Sequence, residues 1–208
     1  MGLDRKISLP DFVQSIKDID TSKLDMIELG YQEINQNDDP SGRKFSPIRF
    51  RNLYKNKFKT WRTLDLCGGE GIELFDLSIL TSERECADII TDYGTTEHVE
   101  KEKGQYNCWV NVHNMLKING LVIHALPMAG MWPGHCRWYY TLDFFHNFEK
   151  YGYKIIKLER TWHDLIFCKM IKINDCPFMS YENFMDIVTF VGGSFTISNN
   201  PKNIRVQI

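Results

Sequence analysis

The chain has 208 residues, 43% hydrophobic and 13% aromatic, enough apolar material for one sizeable core, which excludes a disordered polypeptide. A formal net charge of −2 excludes attraction to nucleic acid or acidic lipid by bulk electrostatics. No apolar run reaches the roughly 18 residues of a membrane span. Met1–Lys6 lacks the apolar centre of a signal peptide, and Lys6 stands where a myristoylation motif needs Ser or Thr. The basic clusters at Arg43-Lys44 and from Arg49 to Lys59 read as solvated surface. The six cysteines show no CxxC spacing, several lie in apolar runs, and they read as reduced thiols. The expectation is a soluble, cytoplasmic protein with neither a nucleic-acid nor a membrane partner.

In chain order, residues 8 to 19 read as a helix with Ser8 as N-cap, Pro10 in the first turn and Phe12, Val13 and Ile16 as its buried stripe. A short strand follows, with Met26, Ile27 and Leu29 before Gly30, and the loop from Asn35 to Gly42 is dense in turn formers. Pro47 to Phe58 reads as helical, with Ile48, Leu53, Tyr54 and Phe58 inward. Trp61 to Leu66 is a second strand, and Leu74 to Leu77 is a brief third strand or an edge segment. Ala87 to Asp92 is a buried strand. It breaks at Tyr93-Gly94 and runs into a helical stretch carrying Glu97 and His98.

Gln105 to Ile118 has helical periodicity, with Asn119-Gly120 as its C-cap, and Leu121 to Pro127 is the next strand. An aromatic-rich loop spans Met128 to Thr141. Leu142 to Tyr151 is a helix stopped by Gly152, and Tyr153 to Leu158 and Leu165 to Ile173 form a strand pair. Beyond Asn174, a short helix from Tyr181 to Val188 precedes a Gly192-Gly193 turn with weak strand character. Strands alternating with helices predict an α/β fold with a mostly parallel sheet, and the closing pair supplies an antiparallel member.

Two glycine turns compete as a ligand loop. If Cys67-Gly68-Gly69-Glu70-Gly71 were the first loop of the sheet, the residues from Ile72 to Cys86 would have to hold two helix–strand units. A single crossover already takes about a dozen residues. Gly30 is instead followed by a long connection and then by a strand ending at Asp65, where a carboxylate can accept both hydroxyls of a ribose. Gly30 is therefore the ligand turn, and Gly68, Gly69 and Gly71 belong to the turn after the second strand.

These residues, Glu28-Leu29-Gly30, Asp65-Leu66, Asp76-Leu77, the run Tyr93-Gly94-Thr95-Thr96-Glu97-His98-Val99 and Gly120 to His124, resemble a class I S-adenosylmethionine-dependent methyltransferase. The resemblance extends from Leu24 to Ile173. It implies a Rossmann-like, doubly wound, mostly parallel seven-stranded sheet with an antiparallel last strand and helices on both faces. On this reading residues 1–208 are one domain, with 1–23 a helical extension, 24–173 the core and 174–208 an appendage. The cofactor implied is S-adenosyl-L-methionine. Glu28 and Gly30, with Gln32 on the same turn, flank its methionine portion. Asp65, with Leu66 beside it, takes the ribose hydroxyls, Asp76 and Leu77 lie near the adenine, and Asp92, Tyr93 and Gly94 floor the sulfonium.

His98 and His135 are the candidate catalytic bases, because a histidine can take a proton from a hydroxyl or amine as the methyl moves. The loop around His135, with Met131, Trp132, Arg137, Trp138 and Tyr139, suits a substrate lid. His113 and His124 read as core residues, His146 and His163 carry no role, and the histidine spacing predicts no metal site. The expected activity is methyl transfer to an oxygen or nitrogen of a small-molecule or sugar-type substrate. Two alternatives stand. Tyr31-Gln32-Glu33 replaces the glycines usual after Gly30, which admits a non-catalytic cofactor-binding scaffold of the same fold. An NAD-dependent oxidoreductase requires a full glycine fingerprint that the chain lacks.

Overall fold

The computed structural model describes residues 2–3, 8–34, 48–161, 164–191 and 194–197. The expected turn at 35–42 and His163 lie outside these residues. Seven strands build the main sheet: β1 (Asp25–Leu29), β2 (Thr60–Asp65), β3 (Glu73–Leu74), β4 (Ala87–Asp92), β5 (Leu116–Pro127), β6 (Tyr153–Arg160) and β7 (Leu165–Lys172). Their spatial order is β6-β7-β5-β4-β1-β2-β3. All neighbours from β3 to β5 are parallel, and β7 runs antiparallel to both β5 and β6. The order reverses direction between β1 and β4, which is where an open α/β sheet leaves a crevice.

Strand pleating sends successive side chains to opposite faces, so each central strand feeds two cores. Ile27, Leu29, Ile90, Val122, Leu126, Ile166 and Met170 point to one face, and Met26, Ile89, Ile123, Ala125 and Phe167 to the other. Helix α1 (Ser8–Ile16) and helix α2 (Phe50–Tyr54) cover the second face through Phe12 and Phe50, whose rings meet edge to face at 4.8 Å. Helix α3 (Glu102–Met115), helix α4 (Leu142–His146) and helix α5 (Tyr181–Asp186) cover the first. There Trp109 packs between Phe144, at 5.0 Å, and Phe148, at 5.3 Å.

Four expectations need correction. Val13 is 40% exposed and Leu53 49%, so neither joins a buried stripe. Of the segment expected to be helical from Pro47 to Phe58, the described residues form a two-residue strand at Ile48–Arg49, the short α2 and a 3-10 turn, with Phe50 as the buried anchor. Helix α3 ends at Met115, and Asn119-Gly120 lies inside β5 as a bulge rather than a helix cap. Asn119 takes φ +64°, and the β4 register passes from Leu116 to Leu121 on β5 while advancing from Ala87 to Ile89. The loop from Met128 to Thr141 contains a strand, Trp138–Tyr140, whose residues are all buried. Among the described residues no helix is long and apolar enough to cross a membrane.

Candidate functional site

A cavity of about 600 Å³ opens at the C-terminal ends of β1, β2 and β4. Gly30, Gln32, Asp65, Leu66, Asp76, Leu77, Gly94 and His98 line it. Glu28, Asp92, Tyr93 and His135 do not; the first three lie beneath the walls and support them.

The first wall is the turn after β1. Gly30 adopts φ +73°, and a Cβ there would stand 2.2 Å from Thr95 Oγ1, so only glycine fits. Thr95 in turn donates its hydroxyl to Leu29 O at 2.8 Å, locking the turns after β1 and β4 together. Beyond Gly30 the chain takes an extended path, and Glu33–Ile34 pairs with both Gly2–Leu3 and Ile48–Arg49. Gln32 is buried and donates its amide to Leu29 O at 2.6 Å, while its Oε1 has no hydrogen-bond partner among the described residues. Glu28, wholly buried, accepts from Thr63 Oγ1, Trp61 Nε1 and Gln32 N. Burial pushes its carboxyl up to about 7 against the opposing effect of those three donors.

The second wall is the end of β2. Asp65 accepts from Tyr31 N and from Cys67 N, each at 2.8 Å, and so clamps the β1 turn to its own. A carboxylate offers about four acceptor sites, so this clamp leaves capacity for a ligand. The glycine cluster beyond it makes a tight turn, with Gly69 bridged to Ile72 and Gly71 at φ +70°, and leads straight into β3. Asp76 accepts from Ser78 N at 2.8 Å, which curls the chain under the crevice toward Leu77.

The third wall follows β4. Asp92 is buried and accepts from Thr95 N, Thr96 N, Thr96 Oγ1 and His124 Nδ1. It is the knot that shapes the turn rather than an exposed floor, and Tyr93 is packed into the opposite core. His98 sits on the rim. Burial, and after it the neighbouring His135, lowers its pKa, and burial lowers that of His135 as well. Both rings are therefore neutral near pH 7 and able to accept a proton.

The structure brings His98 and His135 together, with ring centroids 5.5 Å apart. The buried strand Trp138–Tyr140 does this by packing across the turn at 96–98. Arg137 N donates to Glu97 O at 3.1 Å, Trp138 Nε1 to Val99 O, and Tyr140 OH to Thr96 Oγ1 at 3.3 Å. The expected lid is thus split: Trp138 and Tyr139 are buried supports, whereas Trp132 packs on His135 with centroids 5.3 Å apart. Glu97 is also buried, and burial followed by the Asp92 charge holds its carboxyl well above the usual range. His113 and His124 are core residues as expected, the former bonded to Tyr153 OH and Cys176 O. Thr95, from the run after β4, lies beneath Gly30, and Val99 of the same run lines the cavity; Phe75 and Lys101 on that wall were not anticipated. Nothing in their residue types or spacing marks them; chain folding alone places them there.

No family model and no curated protein matches the sequence. Solved structures do match by shape. The N-methyltransferase NodS from Bradyrhizobium japonicum WM9 aligns at 9% identity over 80% of this chain and 97% of its own, with a TM-score of 0.50. The [4+2]-cyclase SpnF aligns at 10% identity over 79% of each chain, with a TM-score of 0.51. A Burkholderia thailandensis 1,6-didemethyltoxoflavin-N1-methyltransferase, solved with S-adenosylhomocysteine, aligns at 13% identity over 79% of this chain and 87% of its own, with a TM-score of 0.48. The strand order, the one antiparallel strand of the main sheet and the likenesses to NodS and SpnF agree: the chain has the fold of the class I S-adenosylmethionine-dependent methyltransferases.

Proposed function

We propose that the protein is an S-adenosylmethionine-dependent methyltransferase acting on an oxygen or nitrogen atom of a small-molecule or sugar-type substrate. The observation that carries this reading is the cavity at the switch point of the sheet, with Gly30, Asp65 and Gly94 on three neighbouring strand ends. Its volume of about 600 Å³ lies in the range of cofactor and ligand clefts. Asp65 keeps free acceptor sites for a pair of ribose hydroxyls, and Gln32 lines the same cavity. Leu66 and Leu77 supply apolar surface for a base, with Asp76 beside them. When bound, S-adenosylmethionine supplies a methyl group made electrophilic by its sulfonium. The protein's part is to hold the reacting atoms in line and keep water out. His98, on the rim, and His135 beside it are placed to receive the proton a hydroxyl or amine gives up.

Two observations favour a second reading, a cofactor-binding protein without methyl transfer. Tyr31 and Gln32 replace the glycines of a close-approach loop. The similarity to a cyclase means that this fold does not fix the reaction. Calorimetric titration with S-adenosylmethionine and, separately, with NAD tests these readings. Heat with S-adenosylmethionine alone is the expected result. No heat with either overturns the enzyme reading, and heat with NAD alone points to an oxidoreductase. Binding without transfer to any of a broad panel of sugars and amines supports the second reading.

A further inference from the structure

Three metal-ligating groups meet at the rim of the cavity. One ring nitrogen each from His98 and His135 and one carboxylate oxygen from Glu97 all lie within 4.8 Å of one another. Glu97 is fully buried, yet neither of its oxygens receives a hydrogen bond from another described residue. Its nearest polar neighbour in the cluster, His98 Nε2, stands 3.6 Å away, beyond a hydrogen bond. His135 Nε2 is likewise buried without a partner among the described residues. A buried carboxyl that no other residue hydrogen-bonds is unfavourable in either protonation state. The three side chains converge at one point, and a single cation there would give each of them a partner.

We propose that Glu97, His98 and His135 form a binding site for one divalent first-row transition cation. Two imidazoles and a carboxylate suit zinc, iron or cobalt, whereas magnesium selects an all-oxygen shell. Metal–ligand bonds of about 2.1 Å set ligand atoms roughly 3 to 3.5 Å apart, so the rings must close by about an ångström. His98 has room for this, since its side chain is 47% exposed. His135 follows Gly134, which adopts φ +73° in an open turn. The three protein ligands leave coordination positions open. His98 also lines the cavity, so those positions are available to a substrate group or a water. A cation there lowers the pKa of a coordinated hydroxyl, replacing a histidine base by a Lewis acid. This role rests on the transferase reading; the site itself does not.

The test is metal uptake by the full chain in the absence of any cofactor. Chelator-treated protein is titrated with Co²⁺, followed by its visible absorption, and with Zn²⁺ by calorimetry. The expected result is one equivalent bound. Affinity falls at least tenfold in His98→Ala, in His135→Ala and in the near-isosteric Glu97→Gln, and is unchanged in His146→Ala on the exposed end of α4. His98→Ala, at a half-exposed position, keeps the test valid should the buried Glu97 variant fail to fold. No uptake at millimolar metal, or wild-type affinity in either His98→Ala or His135→Ala, overturns the proposal. Because S-adenosylmethionine is absent throughout, failure here is separable from failure of the cofactor titration.

Discussion

Asp65 and Glu28 are both acidic residues on neighbouring strands, yet their surroundings give them different work. Asp65 faces the cavity and spends part of its acceptor capacity on Tyr31 N and Cys67 N. Hydrogen bonds to a charged group contribute about 1.5–3 kcal/mol each, so Asp65→Ala is expected to weaken S-adenosylmethionine binding at least tenfold by calorimetry. Unchanged affinity would refute its assignment to the ribose. Glu28 is sealed beneath the same turn, and burial raises its carboxyl from 4.5 to about 7. The sign follows from linkage. Between about pH 4.5 and 7 the folded state holds a proton that the unfolded chain has released, so stability falls as pH rises through that window and levels off above it. Urea unfolding of the wild type should lose on the order of 3 kcal/mol more across this window than Glu28→Gln. Parallel pH profiles for the two proteins would contradict the buried-carboxyl account.

At the scale of elements, α1 shows what periodicity conveys and where it stops. Phe12 and Ile16 are buried as their spacing predicts, but Val13, on the edge of the same stripe, faces solvent. Phe12 packs edge to face on Phe50 and Tyr54, which makes the helix part of the second core. Phe12→Ala is expected to cost about 3–5 kcal/mol in urea unfolding, and Val13→Ala no more than about 0.5 kcal/mol. Equal losses would show that α1 does not pack as described. The bulge at Asn119-Gly120 and the strand Trp138–Tyr140 were misread for a common reason. A residue in the left-handed region marks a helix end or a strand bulge equally well, and a buried aromatic triplet reads as a lid or as a core strand. The partner across the sheet decides between them, and for Asn119-Gly120 that partner is β4.

For the whole molecule, the sequence by itself determined the class of fold, the position of most strands and the choice between the two glycine turns. These follow from local quantities: hydrophobic periodicity, the chain length a crossover needs, and an acidic residue at a strand end. The residues along the cavity wall were legible where strand ends carry them, as at Gly30, Asp65 and Gly94. Tertiary structure alone decided which of the remaining groups face the crevice. It sank Asp92 and Tyr93 beneath the turn, slid Thr95 under Gly30, and drew His135, 37 positions beyond His98, to within reach of Glu97 and His98. Spacing along the chain could not announce that cluster, because its members come from the segments that follow two adjacent strands, β4 and β5, and meet only when the strand Trp138–Tyr140 packs across the turn at 96–98.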